Sequence, residues 1–243
     1  MEKKLQLLKN LLDSSHYTVA LCGSGILKEC GYPGLLSLDV VYDIEDRYGN
    51  SPEYIYSSAY YNTRPEKFFE FYKSEILSVD IEPSATFFTL AELEKQGKLQ
   101  TVISKNNFCL SERGGCKNVI NIHGTIYDNV CSNCGERYTL EYMKAAIRVP
   151  LCEKCGHMIR PRVKLFGEMV DHQLITKIAD EIAKADLLLL LGTSLESYTF
   201  KDYIKYFDGQ SIVIIHDDEH YSDSHADLVI CDSPKNVLPK ILE

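Results

Sequence analysis

Two patterns of hydrophobic and polar positions alternate along the chain. Residues 3–13 carry Leu5, Leu8, Leu11 and Leu12 at helical spacing, which predicts an amphipathic helix at the start. Four later stretches, 19–22, 99–103, 186–191 and 212–215, are short and almost continuously apolar. They stop at Gly23-Ser24-Gly25, at Ser104-Lys105-Asn106-Asn107, at Gly192-Thr193-Ser194 and at His216-Asp217-Asp218. Unbroken apolar runs that end in glycine or polar residues predict strands of a parallel sheet, buried on both faces. Helical stretches separate them, at 85–95 and at 173–184, the second with Leu174, Ile175, Ile178 and Ile182 on one face. Strand–helix alternation predicts an α/β fold with a doubly wound parallel sheet, whose ligands sit beyond the carboxyl ends of the strands. All four polar clusters fall at that edge.

The middle of the chain departs from this alternation. Residues 44–80 are rich in Tyr, Phe and Glu and predict helices, while residues 126–160 combine clustered cysteines with little apolar periodicity. Both read as excursions that build a smaller domain. The expected division is 1–43, 81–125 and 163–243 for the larger domain, and 44–80 with 126–162 for the smaller.

Composition narrows the class of partner. The 243 residues include 26 Lys+Arg against 35 Asp+Glu, a net charge of −9, which argues against attachment to nucleic-acid phosphates or anionic lipid. No membrane partner is expected either, since the longest apolar stretch, 185–191, is interrupted by Asp186 and falls far short of the ~20 residues of a spanning helix. The first fifteen residues are charged and helical in period, unlike a signal peptide. Nine cysteines in such a chain read as metal ligands plus free thiols, which places the expected site of action in reducing cytoplasm.

Four of those cysteines are spaced as ligands. Cys131-x-x-Cys134 and Cys152-x-x-Cys155 are separated by seventeen residues, with Gly135 and Gly156 directly after each pair. Two such knuckles predict one tetrahedral zinc ion with a closed, structural coordination shell. The same ribbon carries Arg137, Lys144, Arg148, Lys154, Arg160 and Arg162, which offers a rival reading as a nucleic-acid reader. Glu136, Glu141 and Glu153 offset part of that charge and make this rival the weaker one.

Gly23-Ser24-Gly25 after a strand suits a phosphate cradle, and equally a plain strand-to-helix turn. It lacks the third glycine of the dinucleotide fingerprint, because Lys28 stands there. Its wider context resembles the sirtuin family. Gly23-Ser24-Gly25-Ile26 with Cys30-Gly31-Tyr32-Pro33 is similar to G-A-G-I-S-x-x-S-G-I-P-D-F-R, and Ser104-Lys105-Asn106-Asn107-Phe108 stands in the place of T-Q-N-I-D. Pro83, Leu90, Leu93 and Glu94 match the helix P-N-x-x-H-x-x-L-x-x-L-E. Asn121-Ile122-His123-Gly124-Thr125 is similar to the L-H-G-S segment, and residues 160–168 to R-P-x-V-V-x-F-G-E. Gly192-Thr193-Ser194-Leu195 and Asn236-Val237-Leu238-Pro239 complete the series in order.

The resemblance implies an NAD-dependent protein lysine deacylase with a Rossmann-like larger domain and a smaller zinc-ribbon and helical domain. In that family the acyl oxygen attacks the nicotinamide ribose, nicotinamide leaves, and the acyl group ends on ADP-ribose. Carried over to this chain, His123 would be the general base and Asn106 would act beside the nicotinamide ribose. Gly23, Ser24 and Gly25 would hold the diphosphate, and Gly192, Thr193 and Ser194 would line the ribose and adenine side. Lys105, Asn107, Phe108, His216 and Asp217 would complete the cofactor site. Phe166, Gly167 and Glu168 would meet the acyl-lysine protein substrate, and Cys131, Cys134, Cys152 and Cys155 would hold one structural zinc ion.

The departures from the family pattern cluster at the nicotinamide end. Phe108 replaces the aspartate that binds the carboxamide, Lys105 replaces a glutamine, Leu27 a serine, and Leu35 and Leu36 stand for Phe and Arg. Phe108 offers no acceptor to an amide N–H, and Lys105 opposes a developing oxocarbenium. Elsewhere, Lys164 and Ser197 replace valines, His216 replaces an asparagine, and Tyr72 is followed at the third position by Glu75, which gives no support to a succinyl preference. The expected function is therefore deacylation. The alternatives are a catalytically impaired module that binds NAD or ADP-ribose, and an ADP-ribosyltransferase or NAD-cleaving enzyme.

Overall fold

The apolar runs form strands in a computed structural model that describes residues 1–242. Its strands are β1 (Thr18–Cys22), β2 (Thr101–Ser104), β3 (Val119–Asn121), β4 (Gly124–Cys131), β5 (Arg137–Tyr138), β6 (Ile159–Val163), β7 (Leu187–Leu191), β8 (Ser211–His216) and β9 (Leu228–Cys231). Six of them make one sheet in the order β3-β2-β1-β7-β8-β9, and every pairing in it is parallel. All residues of β1, β2 and β7 are buried, as continuous apolar runs require. The register aligns the strand ends: Cys22 pairs with Ser104 and with Leu191, Ser104 with Asn121, and His216 with Cys231. The turns leaving these strands therefore share one edge.

Of the strand boundaries that differ from the sequence expectation, two do so because a polar side chain is spent on the backbone. Gln100 lies outside β2, where its Oε1 accepts from the Thr18 N–H at 2.6 Å. Asp186 lies outside β7, where its carboxylate accepts from Ser15 Oγ, His16 N and Tyr17 N. β3 and β9 were not expected; β3 has only three residues, whereas the apolar run Leu228–Cys231 of β9 is as long as the run 19–22 but was not singled out.

The sheet belongs to a unit made of Met1–Gly31, Glu82–Ile122 and the chain from Asp171 onward. Helix Glu2–Ser14 buries Leu8 and Leu12, and helix His172–Lys184 buries Ile178 and Ile182. The second of these starts at Asp171, whose carboxylate accepts from Gln173 N and Leu174 N and so satisfies two orphan donors of the first turn.

A second unit comprises Tyr32–Ile81 and His123–Val170. Its first segment is helical, with Pro52 and Pro65 at helix starts and Ser51 and Ser57 as capping acceptors. The aromatic richness of this segment becomes a packed cluster in which Tyr61, Phe69 and Tyr72 surround Phe68, with ring centroids 5.1–5.5 Å apart. Its other segment forms the antiparallel sheet β5-β4-β6. Lys73 ties the two segments together by donating to the carbonyls of Ala146, Ile147 and Arg148 at 2.7, 3.2 and 3.0 Å. Among the described residues, no helix is long and apolar enough to cross a membrane.

Candidate functional site

The turns after β1 and β7 are pressed together. Gly23 N donates to Leu191 O and Gly25 N to Gly192 O, both at 2.9 Å. A Cβ on Gly23 would lie 2.4 Å from Thr193 Cβ, and one on Gly192, whose φ is +58°, would lie 2.4 Å from Ile26 N. These glycines are thus explained first by the close approach of two turns. Because two of the turn's N–H groups serve that packing, Ser24, with its N–H and hydroxyl, is the polar residue this turn has left for an anion.

Beside the turns lies a cavity of about 200 Å³ lined by Gly25, Thr193, Ser194, His216, Asp217 and their neighbours. Four sequence-predicted segments are accordingly at one sheet edge, and three of them line one cavity. His216 is 7% exposed and donates from Nε2 to Asp223 Oδ2 at 2.9 Å, which fixes its ring. The rim is acidic, with Asp217, Asp218 and Glu219 exposed and Lys28 paired to Asp218 at 3.8 Å. Glu219, His220 and Asp223 were not singled out from sequence, and Lys28 and Asp218 were named there without a role in the site. The run of three acids directly after a strand was the available signal.

The turn after β2 is shaped largely by its own side chains. Lys105 N donates to Cys22 O at 3.2 Å, which tethers it beside the β1 turn. Asn106 is 2% exposed, its Nδ2 donates to Ser104 Oγ at 2.6 Å, and its Oδ1 accepts from Phe108 N at 3.1 Å. Its amide therefore shapes the turn, and one Nδ2 hydrogen remains for any other use. Phe108 is 4% exposed, and Asn107 and Lys105 are half-buried. Burial pushes the Lys105 ammonium pKa down.

His123, Phe166, Gly167, Glu168 and the cysteine quartet belong to the second unit. His123 O accepts from Lys164 N at 2.9 Å, and Gly124 adopts φ +68° with Arg162 O only 1.9 Å from where a Cβ would be. The glycine after His123 is thus required by the approach of β4 to β6. Phe166 is 41% exposed, and its backbone bonds Tyr56 O and Ser58 N. Glu168 is committed locally, accepting from Arg160 at 2.7 Å and Leu165 N at 2.8 Å.

The four cysteine sulfurs lie within 4.8 Å of one another, with Cys131–Cys155 at 3.4 Å and Cys134–Cys152 at 3.5 Å. Zinc–sulfur bonds of ~2.3 Å place tetrahedral ligands about 3.8 Å apart, so the donor set fits zinc. Both knuckles close alike: Gly135 N donates to Cys131 O and Gly156 N to Cys152 O, with φ of +74° and +72°. The Cys155 thiol is drawn down to about 5, chiefly by the His157 backbone, so one ligand is readily a thiolate. All four positions are cysteine, which leaves no open coordination site and gives the metal a structural role.

The sequence profile of the Sir2 family matches residues 23–199. A protein described as an NAD-dependent protein deacetylase from Clostridium acetobutylicum is 34% identical over 240 residues, covering 98% of both chains. One so described from Staphylococcus aureus is 32% identical over 243 residues, covering 100% of this chain and 99% of that one. A solved structure described as Sir2 bound to acetylated peptide superposes with a TM-score of 0.81 at 26% identity, covering 98% and 97%. Another, a Sir2 homologue in complex with ADP-ribose, has a TM-score of 0.83 at 29% identity, covering 98% and 94%.

Proposed function

Because the chain belongs to the Sir2 family, we propose that it works as an NAD-dependent protein deacetylase on acylated lysines of protein substrates. The observation that carries this reading is a single family match, residues 23–199, that takes in both glycine turns, His123 and the cysteine quartet. NAD supplies a ribose whose bond to nicotinamide is cleaved and which then accepts the acyl group. Ser24 would meet the diphosphate, held in place by the Gly23, Gly25 and Gly192 packing. Thr193, Ser194, His216 and Asp217 would take the adenosine half in the cavity they line. An acidic residue at a strand end is a general partner for ribose hydroxyls, and Asp217 directly follows β8.

His123 would remove a proton from a ribose hydroxyl, the general-base task that histidine performs most often. Asn106 would serve through its turn and its remaining Nδ2 hydrogen. The exposed ring of Phe166 and the backbone of Gly167 would meet substrate, with Glu168 bracing the segment through Arg160. In this reading the protein works in a reducing cytoplasm, where nine cysteines serve as metal ligands and free thiols. The larger unit is the NAD-binding domain in this reading and the second unit the zinc-bearing one.

A second reading has a specific observation in its favour. Lys105 and the buried Phe108 give the turn after β2 no acidic acceptor for a carboxamide, so the nicotinamide end is rebuilt and catalysis there is impaired or redirected. Product analysis by mass spectrometry, with NAD and a mixed acyl-lysine peptide pool, separates the two. Deacetylation expects O-acetyl-ADP-ribose and nicotinamide, both lost in His123→Ala. Nicotinamide without acyl transfer indicates NAD cleavage or ADP-ribosyl transfer, and no turnover with retained ADP-ribose binding indicates a binding module.

A further inference from the structure

The crevice edge is electrically lopsided. On the β8 side stand Asp217, Asp218 and Glu219. On the β2 side stands Lys105, tethered beside Gly23 through its N–H to Cys22 O. Among the described residues, the Lys105 ammonium has no hydrogen bond and no ion pair, although the chain holds 35 acids to 26 bases. Lys28 has Asp218 and Lys73 has three carbonyls; Lys105 has burial alone. A half-buried cation with no partner carries part of its desolvation cost uncompensated, and a site keeps one where a ligand supplies the counter-charge.

The rest of that turn says what kind of group this is. Asn106 Oδ1 already accepts from the Phe108 N–H, and Phe108 presents a buried ring. No Asp or Glu lies between Ser104 and Cys109. A carboxamide brings two N–H donors and needs acceptors, whereas a carboxylate brings only acceptors and needs a cation. With the adenosine half over the acidic β8 side, the sheet order β1-β7-β8 sends the pyridine half of a dinucleotide toward β2. Resting on the NAD reading above, we propose that Lys105 makes this site selective for the acid form of the dinucleotide, in which a pyridine carboxylate replaces the carboxamide.

The test is calorimetric titration of the zinc-loaded full chain with ADP-ribose, NAD and nicotinic acid adenine dinucleotide, on the natural protein and on Lys105→Gln. The acid dinucleotide is expected to bind about tenfold more tightly than NAD, as one charge-assisted contact provides. In Lys105→Gln that preference disappears while ADP-ribose binding changes by less than about twofold. The variant should also unfold at or above the natural midpoint, since it removes a cation with no internal partner. NAD binding as tightly as its acid form, or a preference that survives the substitution, overturns the proposal and leaves the deacetylase reading intact. ADP-ribose that does not bind at all overturns both.

Discussion

Glu29 and Ser233 are 204 positions apart in sequence, and Ser233 Oγ donates to Glu29 Oε1 at 2.7 Å. The same oxygen accepts from Lys235 N at 2.9 Å, and Oε2 accepts from Ser84 Oγ at 2.8 Å and Thr86 Oγ1 at 2.7 Å. One carboxylate thus pins the short helix Gly25–Cys30 to the starts of helices Ala85–Lys95 and Pro234–Val237. Since Gly25 opens that short helix, Glu29 holds the glycine turn from its far end.

Glu29→Ala leaves the buried Thr86 and Ser233 hydroxyls without this acceptor, at about 1–3 kcal/mol for each such group. A stability loss of about 3 kcal/mol is expected by denaturant unfolding. The KM for NAD should rise more than kcat falls, because the carboxylate touches no reacting atom. Glu29→Gln keeps the shape and half of the acceptors and should fall between the two.

Gly23 separates two roles that sequence cannot. If the glycine serves turn packing, Gly23→Ala damages the protein without any ligand, because its Cβ would sit 2.5 Å from Gly192 O. We expect the unfolding midpoint of the ligand-free variant to drop by several degrees, about 2–4 °C for each kcal/mol lost in a chain of this size. Gly31, with open space at its Cβ and φ +82°, serves as the comparison. Gly31→Ala should cost only the strain of a left-handed backbone, about 1 kcal/mol. An unchanged midpoint in Gly23→Ala would return that residue to a purely ligand-binding role.

The sheet was legible because residues such as those of β7, Leu187–Leu191, are buried on both faces and leave an unbroken apolar run. The cysteine knuckles were legible because metal spacing is local. β3, with three residues, left no run to read. Glu29 and Asp223 were invisible for a different reason: each acts through partners that the fold brings to it, and neither changes the local hydrophobic pattern. The same holds for Asn106, which a motif resemblance singled out but whose turn-shaping bonds appear only in three dimensions.

Metal analysis should find about one zinc per chain, removed by a strong chelator at a cost in stability. Cys131 and Cys152 are 1% and 3% exposed, so Cys131→Ser should do more harm than Cys134→Ser, whose side chain is exposed. Because β4 carries Cys131 at one end and Gly124 at the other, losing the metal frees the strand that follows His123. Far-ultraviolet dichroism should show that the loss is partial, with the parallel sheet retained. Four thiols freely alkylated in the native protein, with no metal found, would refute the site.

Asp186 predicts a dependence on acid. Burial pushes its carboxyl pKa up, but hydrogen bonds from Ser15, His16 N and Tyr17 N outweigh that and hold it below the usual carboxylate value. The ionised form is therefore favoured by folding. Its contribution is complete above the unfolded value, about pH 4, and fades as pH falls through the lower folded one. Asp186→Asn should be less stable than the natural protein at pH 7, and the two stability curves should converge as pH falls below the unfolded value and through the lowered folded one. Equilibrium unfolding between pH 7 and pH 3 checks this, and a gap that stays constant over that range would assign the loss to shape and not to charge. Since Asp186 joins the start of β7 to the start of β1, the convergence would also locate the acid-sensitive step at the two strands whose far ends carry the paired glycine turns.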